Sequence, residues 1–320
     1  MKGATWIVGS GGMLGSAVTR RIQQDAGSVL IDGPQIRWGQ PLARGDLAAG
    51  LTSLVTSSSI DTWQVIWCAG AGVTATGSHA LAQEFALFQE FLGIIAGLQD
   101  DIRFRGSVFL ASSAGAVYGG SPQAPFDEFS PPIPLGDYGV AKLRAEDALC
   151  EFSVASGIPI LIGRIANLYG PGQSLAKQQG IVSQLCKAAL LGHPVSMFVS
   201  LDTRRDYIFV DDCATLVAES CSRLRVRPRG ADPVIKILAS GQSVTLASVL
   251  GEFRHVIGRR PRVVTGSSPQ AGLQGRDLRF RSVVWPDLDR SPKTPLVVGM
   301  ARTLADLARK LNASGATSMR

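Results

Sequence analysis

Cysteine and histidine are scarce in this chain, at five and three of 320 residues. Cys68, Cys150, Cys186, Cys213 and Cys221 are odd in number, scattered, and without a C-x-x-C pair. That excludes a disulfide framework and offers no zinc spacing; the thiols read as small core residues in a reducing compartment. His79, His193 and His255 lie far apart in sequence, so no metal is expected. No apolar run reaches the roughly 18 to 20 residues that cross a bilayer. The apolar stretch ATWIVGSGGMLGSAV carries four close glycines and no basic segment before it, which argues against a signal peptide. A cytoplasmic protein without a membrane partner is expected.

What is present is the mix of a folded protein: 45% apolar and 18% charged residues, long enough for one large domain and a smaller one. The net charge of +7 is uneven. Residues 201–320 carry 20 basic against 11 acidic residues, a net of +9, and residues 1–200 carry 12 against 14, a net of −2. Such a half could attract phosphate or nucleic acid. RLRVRPRG, 223–230, has no interleaved aromatics to stack bases, which argues against nucleic acid and for a solvated basic surface.

The first half alternates strand-like runs (ATWIV, SVLID, VIWCAG, SVFLASS, IPILIG) with helical patterns, one of which puts Leu14, Ala17, Val18 and Ile22 on one face. This predicts a parallel sheet covered on both sides. From about residue 170, YGPGQ, GHPV, SSPQAGLQG and SPKTP break the rhythm and predict a smaller, irregular lobe.

Two motifs carry chemistry. Gly9-Ser-Gly-Gly12-Met-Leu-Gly15 sits between a strand and a helix, where glycines allow a tight turn and close approach of the backbone to a pyrophosphate on the helix N-terminus. A plain glycine turn is the alternative. Asp32 closes the second strand, where a carboxylate would accept ribose hydroxyls and repel a 2′-phosphate, favouring NAD over NADP. Arg37 nearby keeps NADP open. In DYGVAKLRAE, 137–146, Tyr138 and Lys142 are four apart and share a helix face. An adjacent ammonium favours the phenolate of a tyrosine. A surface tyrosine with a Lys142–Glu146 helical pair is the alternative.

With SSAGAVYG, RIANLYGPGQ and RDYIFVDD, these motifs in this order resemble the extended short-chain dehydrogenase/reductases, the NAD-dependent epimerase/dehydratase family acting on nucleotide sugars. The likeness is dense from Thr5 to about Ala214. It implies an α/β fold: a Rossmann-type doubly wound parallel sheet over residues 1–170, then a C-terminal α+β substrate lobe over 171–320 with part of 195–222 returning to the first domain. It implies NAD held by Gly9, Gly12, Met13, Leu14, Gly15, Asp32, Ala69 and Gly70, with Tyr138 as general base and Lys142 on the nicotinamide ribose. Asn167, Arg205 and, less securely aligned, Arg276 and Arg279 match contacts to the sugar and its diphosphate. Asp211 and Asp212 read as N-caps of DDCATLVAES.

The chain departs from the family at Ala114, where a Ser or Thr usually meets the reacting sugar oxygen; Ser113 is expected to take over that task. Gly115 and Ala116 replace the Asp-Glu pair of 4,6-dehydratases and disfavour that reaction. The resemblance implies a homodimeric nucleotide-sugar epimerase working through a keto intermediate. A ketoreductase using NAD(P)H, and a dinucleotide-binding sensor or scaffold without catalysis, are the other readings.

Overall fold

The computed structural model describes residues 3–25, 27–57, 61–70, 72, 76–173, 180–266, 272 and 275–317, with side chains to 313. The expected alternation is there: β1 (Gly3–Val8), α1 (Met13–Gln23), β2 (Ser28–Leu30), α2 (Ala43–Val55), β3 (Thr62–Trp67), α3 (Ser78–Ala96), short α4 (Asp100–Arg103), β4 (Gly106–Ser113), short α5 (Ala114–Val117), α6 (Asp137–Ser156) and β5 (Ile160–Ile165). The lobe and the return follow as β6 (Asn167–Tyr169), α7 (Ile181–Leu191), β7 (Val195–Met197), β8 (Arg204–Phe209), α8 (Val210–Arg225), β9 (Val234–Leu238), β10 (Ser243–Thr245), α9 (Leu246–Ile257), β11 (Val263–Thr265), β12 (Asp277–Leu278) and α10 (Leu296–Thr317).

Six strands pair in parallel in the order β2-β1-β3-β4-β5-β9. The apolar runs of β1, β4 and β5 are buried on both faces, as a sheet between helical layers requires, while the edge strand β2 is partly exposed. Side-chain alternation feeds two cores. Trp6, Val8, Val65, Trp67, Val108 and Leu110 join the core with residues of α2, α3 and α6. Ile7, Ile66 and Phe109 join the one with residues of α1 and α8. The winding reverses between β1 and β3, where doubly wound sheets bind ligands beyond the carboxyl ends of the strands.

Within 195–222, α8 begins at Val210 and packs on α1, and β9 then extends the large sheet past β5. In the lobe, β8 pairs with β6, β10 and β12, and β7 pairs with β11. Most of SSPQAGLQG lies outside the described residues.

Two expectations change. RLRVRPRG is solvated only in part: Val226, Pro228, Arg229 and Gly230 are exposed, whereas Arg225 donates to Thr5 Oγ1 at 2.9 Å, Ser28 Oγ at 3.1 Å and Gln64 Oε1 at 3.2 Å, and Arg229 covers the Phe104 ring at 3.3 Å. Asp211 and Asp212 are not caps: Phe209 holds that position, and both lie in the first turn of α8. Asp212 accepts from Thr294 N–H at 2.7 Å and Oγ1 at 3.0 Å, and Asp211 pairs with Arg20 at 3.1 Å.

Candidate active site

Between Val8 and Met13 the chain must turn within four residues. Gly9 does so at φ +88°, and a Cβ there would stand 2.7 Å from Ala69 N. A Cβ on Gly15 would stand 2.1 Å from Gly9 O, so α1 can approach the turn only with glycine at that position. Gly12 N–H closes the turn on Gly9 O at 3.0 Å. No side chain caps α1 and its first turn holds no acid. The N–H groups of Met13 and Leu14 therefore have no intrahelical acceptor, and the positive end of the helix is uncovered, a cradle that fits a pyrophosphate.

Asp32 lies two residues beyond the end of β2 rather than on it, and is exposed. Arg37 is already engaged, donating Nε and Nη2 to Asp46 at 3.0 and 2.5 Å. Those hydrogen bonds hold the Asp46 carboxyl down at about 2. A guanidinium so occupied is poorly placed for a 2′-phosphate.

Tyr138 and Lys142 share one face of α6: the Lys142 ammonium is 5.7 Å from the Tyr138 ring centroid and also reaches Ala111 O at 3.5 Å. A Cβ on Gly70 would stand 3.4 Å from Lys142 Nζ, and one on Gly72 3.4 Å from Tyr138 Cε2. Contacts thus run from the glycine turn through Ala69 and Gly70 to Lys142 and Tyr138. Glu84 of α3 was missed by sequence reasoning. Its carboxylate accepts Gly72 N–H at 3.2 Å, and a Cβ on Gly70 would stand 2.7 Å from its Oε1. No motif marks Glu84; only the helix α3 facing this loop brings it in.

Ser112 and Ser113 part company by strand alternation. Ser112 Oγ donates to Glu146, which receives Nε and Nη2 of Arg164, the latter at 2.6 Å. Arg164 Nη1 in turn donates to Tyr118 Oη at 2.5 Å, and burial pushes that phenol up to about 12. Glu146 is therefore a buried structural acid, not the partner of Lys142 on a surface helix. Ser113 is half-buried on the opposite side of β4, with no hydrogen bond from its hydroxyl to Tyr138 or Lys142. Ala114 is fully buried in the core.

On the lobe side, Asn167 Nδ2 donates to Asp206 O at 3.0 Å. Arg205 is only 6% exposed, and its Nη1 meets backbone carbonyls, Arg204 O at 2.8 Å and Arg276 O at 3.5 Å. Burial pulls its pKa below the usual arginine value. Arg276 Nη2 pairs with Asp202 at 2.6 Å, and its side chain is 78% exposed. Arg279 likewise pairs with Asp277 at 2.8 Å. Among the described residues no cluster of His, Cys, Asp and Glu could hold a metal ion, and no helix is long and apolar enough to cross a membrane.

A dTDP-4-dehydro-6-deoxyglucose reductase of Escherichia coli is 30% identical over 143 residues, 45% of this chain and 43% of the relative. A UDP-glucose 4-epimerase of Azospirillum brasilense is 28% identical over 226 residues, 63% of this chain and 61% of the relative. The chain thus spans less than two thirds of either relative's length. A solved structure of UDP-glucuronic acid 4-epimerase from Bacillus cereus, in complex with UDP-glucuronic acid and NAD, matches with a TM-score of 0.75 at 17% identity, covering 96% of this chain and 99% of that one. That likeness establishes the Rossmann-type fold. A family model matches residues 5–227, and the chain belongs to the NAD dependent epimerase/dehydratase family.

Proposed function

We propose that this protein is an NAD-dependent nucleotide-sugar epimerase that inverts one sugar carbon, C4, through a keto intermediate. The observation carrying this reading is the pair Tyr138 and Lys142 on one face of α6, joined through Gly70 and Ala69 to the glycine turn. The residues fit the cofactor. The open N-terminus of α1 would hold its pyrophosphate, Asp32 the adenosine ribose and Lys142 the nicotinamide ribose. Bound NAD supplies reversible two-electron redox chemistry.

The chain's own part is acid-base and positional. Tyr138 Oη takes the proton of the C4 hydroxyl as that carbon is oxidised, and the Lys142 ammonium stabilises the phenolate that results. Tyr138 returns the proton once the keto sugar has turned its other face. Arg205, a buried cation whose Nη1 meets backbone carbonyls, would take the diphosphate, which a guanidinium binds through two donors at once. The free amide oxygen of Asn167 is left for a sugar hydroxyl, and Ser113 for the reacting oxygen. A cytoplasmic homodimer completes the reading: the five cysteines are free, and the exposed Val140 and Val154 stand on one side of α6.

A second reading is favoured by the match to the Escherichia coli reductase: reduction of a keto sugar with NAD(P)H by the same residues. Incubating the protein with UDP-, dTDP- and GDP-sugars, with and without NAD(P)H, separates the two. Epimers formed with no net consumption of reduced cofactor support the proposal. Stoichiometric loss of reduced-cofactor absorbance with a 4-keto sugar, and no epimerisation, supports reduction.

A further inference from the structure

The segment between β2 and α2 holds an indole that neither core claims. Trp38 is 46% exposed, yet the chain carrying it is pinned on both sides. Before it, Ile31 N–H donates to Thr5 O at 2.9 Å and Ile36 packs on the core shared by α2, α3 and α6. At Arg37, the backbone N–H donates to Asp46 Oδ2 at 3.0 Å beside the two guanidinium bonds to the same carboxylate. After it, Gln40 N–H closes on Arg37 O and Ala43 N–H on Gln40 O, each at 3.1 Å. Trp38 is the presented residue of a fixed turn. Its ring meets Trp67 at 6.3 Å and 85°, a T-shaped contact that covers at most one of its faces. Trp67 is itself held by Phe88 and Phe91 at 5.0 and 5.1 Å.

The place of this turn in the sheet gives the exposed indole a meaning. On this flank the sheet ends at β2 among the described residues, and α2 leads into β3, whereas the six-strand order 3-2-1-4-5-6 has one more strand beyond the second. A dinucleotide lies across the reversal between β1 and β3, with its adenosine half toward β2 and the acid after that strand. Trp38 follows Asp32 by six residues and leans on Trp67, the last residue of β3, two before the Ala69 that meets the glycine turn. We propose that Trp38 is the platform on which the purine of the adenosine half stacks, beside the carboxyl end of β3. This rests on the dinucleotide-binding reading above. Nothing in it depends on the sugar or on turnover.

Calorimetric titration of ADP-ribose and NAD into wild type, Trp38→Ala and Trp38→Phe tests it. A stacked base contributes enough that the alanine variant should bind ADP-ribose about 5- to 150-fold more weakly, with the phenylalanine variant within about threefold of wild type. Alanine and wild-type proteins of equal affinity overturn the platform, and so do alanine and phenylalanine variants weakened alike. Wild type that binds neither ligand overturns the dinucleotide reading and the platform together; wild type that binds both, with an unaffected alanine variant, removes Trp38 alone.

Discussion

The ammonium of Lys142 lies 5.7 Å from the centroid of the Tyr138 ring, about one helical turn along α6. In the proposed mechanism the phenol exchanges the proton and the ammonium makes that exchange affordable near neutral pH. Tyr138→Phe should then lower kcat by about 10²- to 10⁴-fold while leaving NAD affinity nearly unchanged. Lys142→Ala should weaken both, since it is asked to hold a ribose as well. Stopped turnover assays and NAD titrations on the two variants check this, and a Tyr138→Phe enzyme with wild-type turnover rules out the assigned base.

The neighbouring serines should separate stability from turnover. Ser112 donates to a carboxylate inside the buried Glu146–Arg164 cluster, so Ser112→Ala should cost about 1.5–3 kcal/mol in urea unfolding. Ser113→Ala should change stability by less than about 0.5 kcal/mol and reduce kcat at least tenfold. Unchanged kcat in that variant takes Ser113 out of the mechanism.

Cofactor choice should follow the occupancy of Arg37. Asp46→Ala releases the guanidinium that Asp46 now holds with two hydrogen bonds, and should raise affinity for NADP relative to NAD at least fivefold. Asp32→Ala should move the ratio the same way by removing a carboxylate that repels the 2′-phosphate. A ratio that moves in neither variant contradicts the adenosine site drawn here.

Asp206 gives a pH signature. Burial raises its carboxyl from 3.8 to about 6, although Ser240 N–H donates to Oδ1 at 2.8 Å, and Oδ2 is buried without a partner. Between those two values the folded chain keeps a proton that the unfolded chain has released. Its contribution to stability is thus present in acid and is lost as pH rises from about 4 to about 6. Relative to Asp206→Asn, the wild-type melting temperature should fall over that window and then run parallel. A constant difference across it shows that Asp206 is ionised throughout.

Much of this was legible in the chain. The parallel sheet could be read because each buried strand is a short run of apolar side chains, and the glycine turn because only its spacing lets α1 meet β1. The Tyr138–Lys142 face followed from helix periodicity. What escaped depends on contacts between distant segments. Glu146 looks like a surface partner of Lys142 until Arg164, 18 residues on, is folded against it. Arg225 reads as solvated until β1, β2 and β3 supply three acceptors. The pairing of Arg276 with Asp202, 74 residues away, is marked by no motif. Glu84 and Trp38 stand in no motif, and their meaning comes from the loops they face.

The most direct measurement follows the fate of deuterium at the reacting carbon. A UDP-hexose labelled at C4, incubated with the enzyme and catalytic NAD in ordinary water, should yield its C4 epimer with the label still at C4 by NMR. An epimer that has lost its label to solvent, or no epimer at all unless reduced cofactor is consumed mole for mole with a keto sugar, contradicts removal and return of hydrogen within one site.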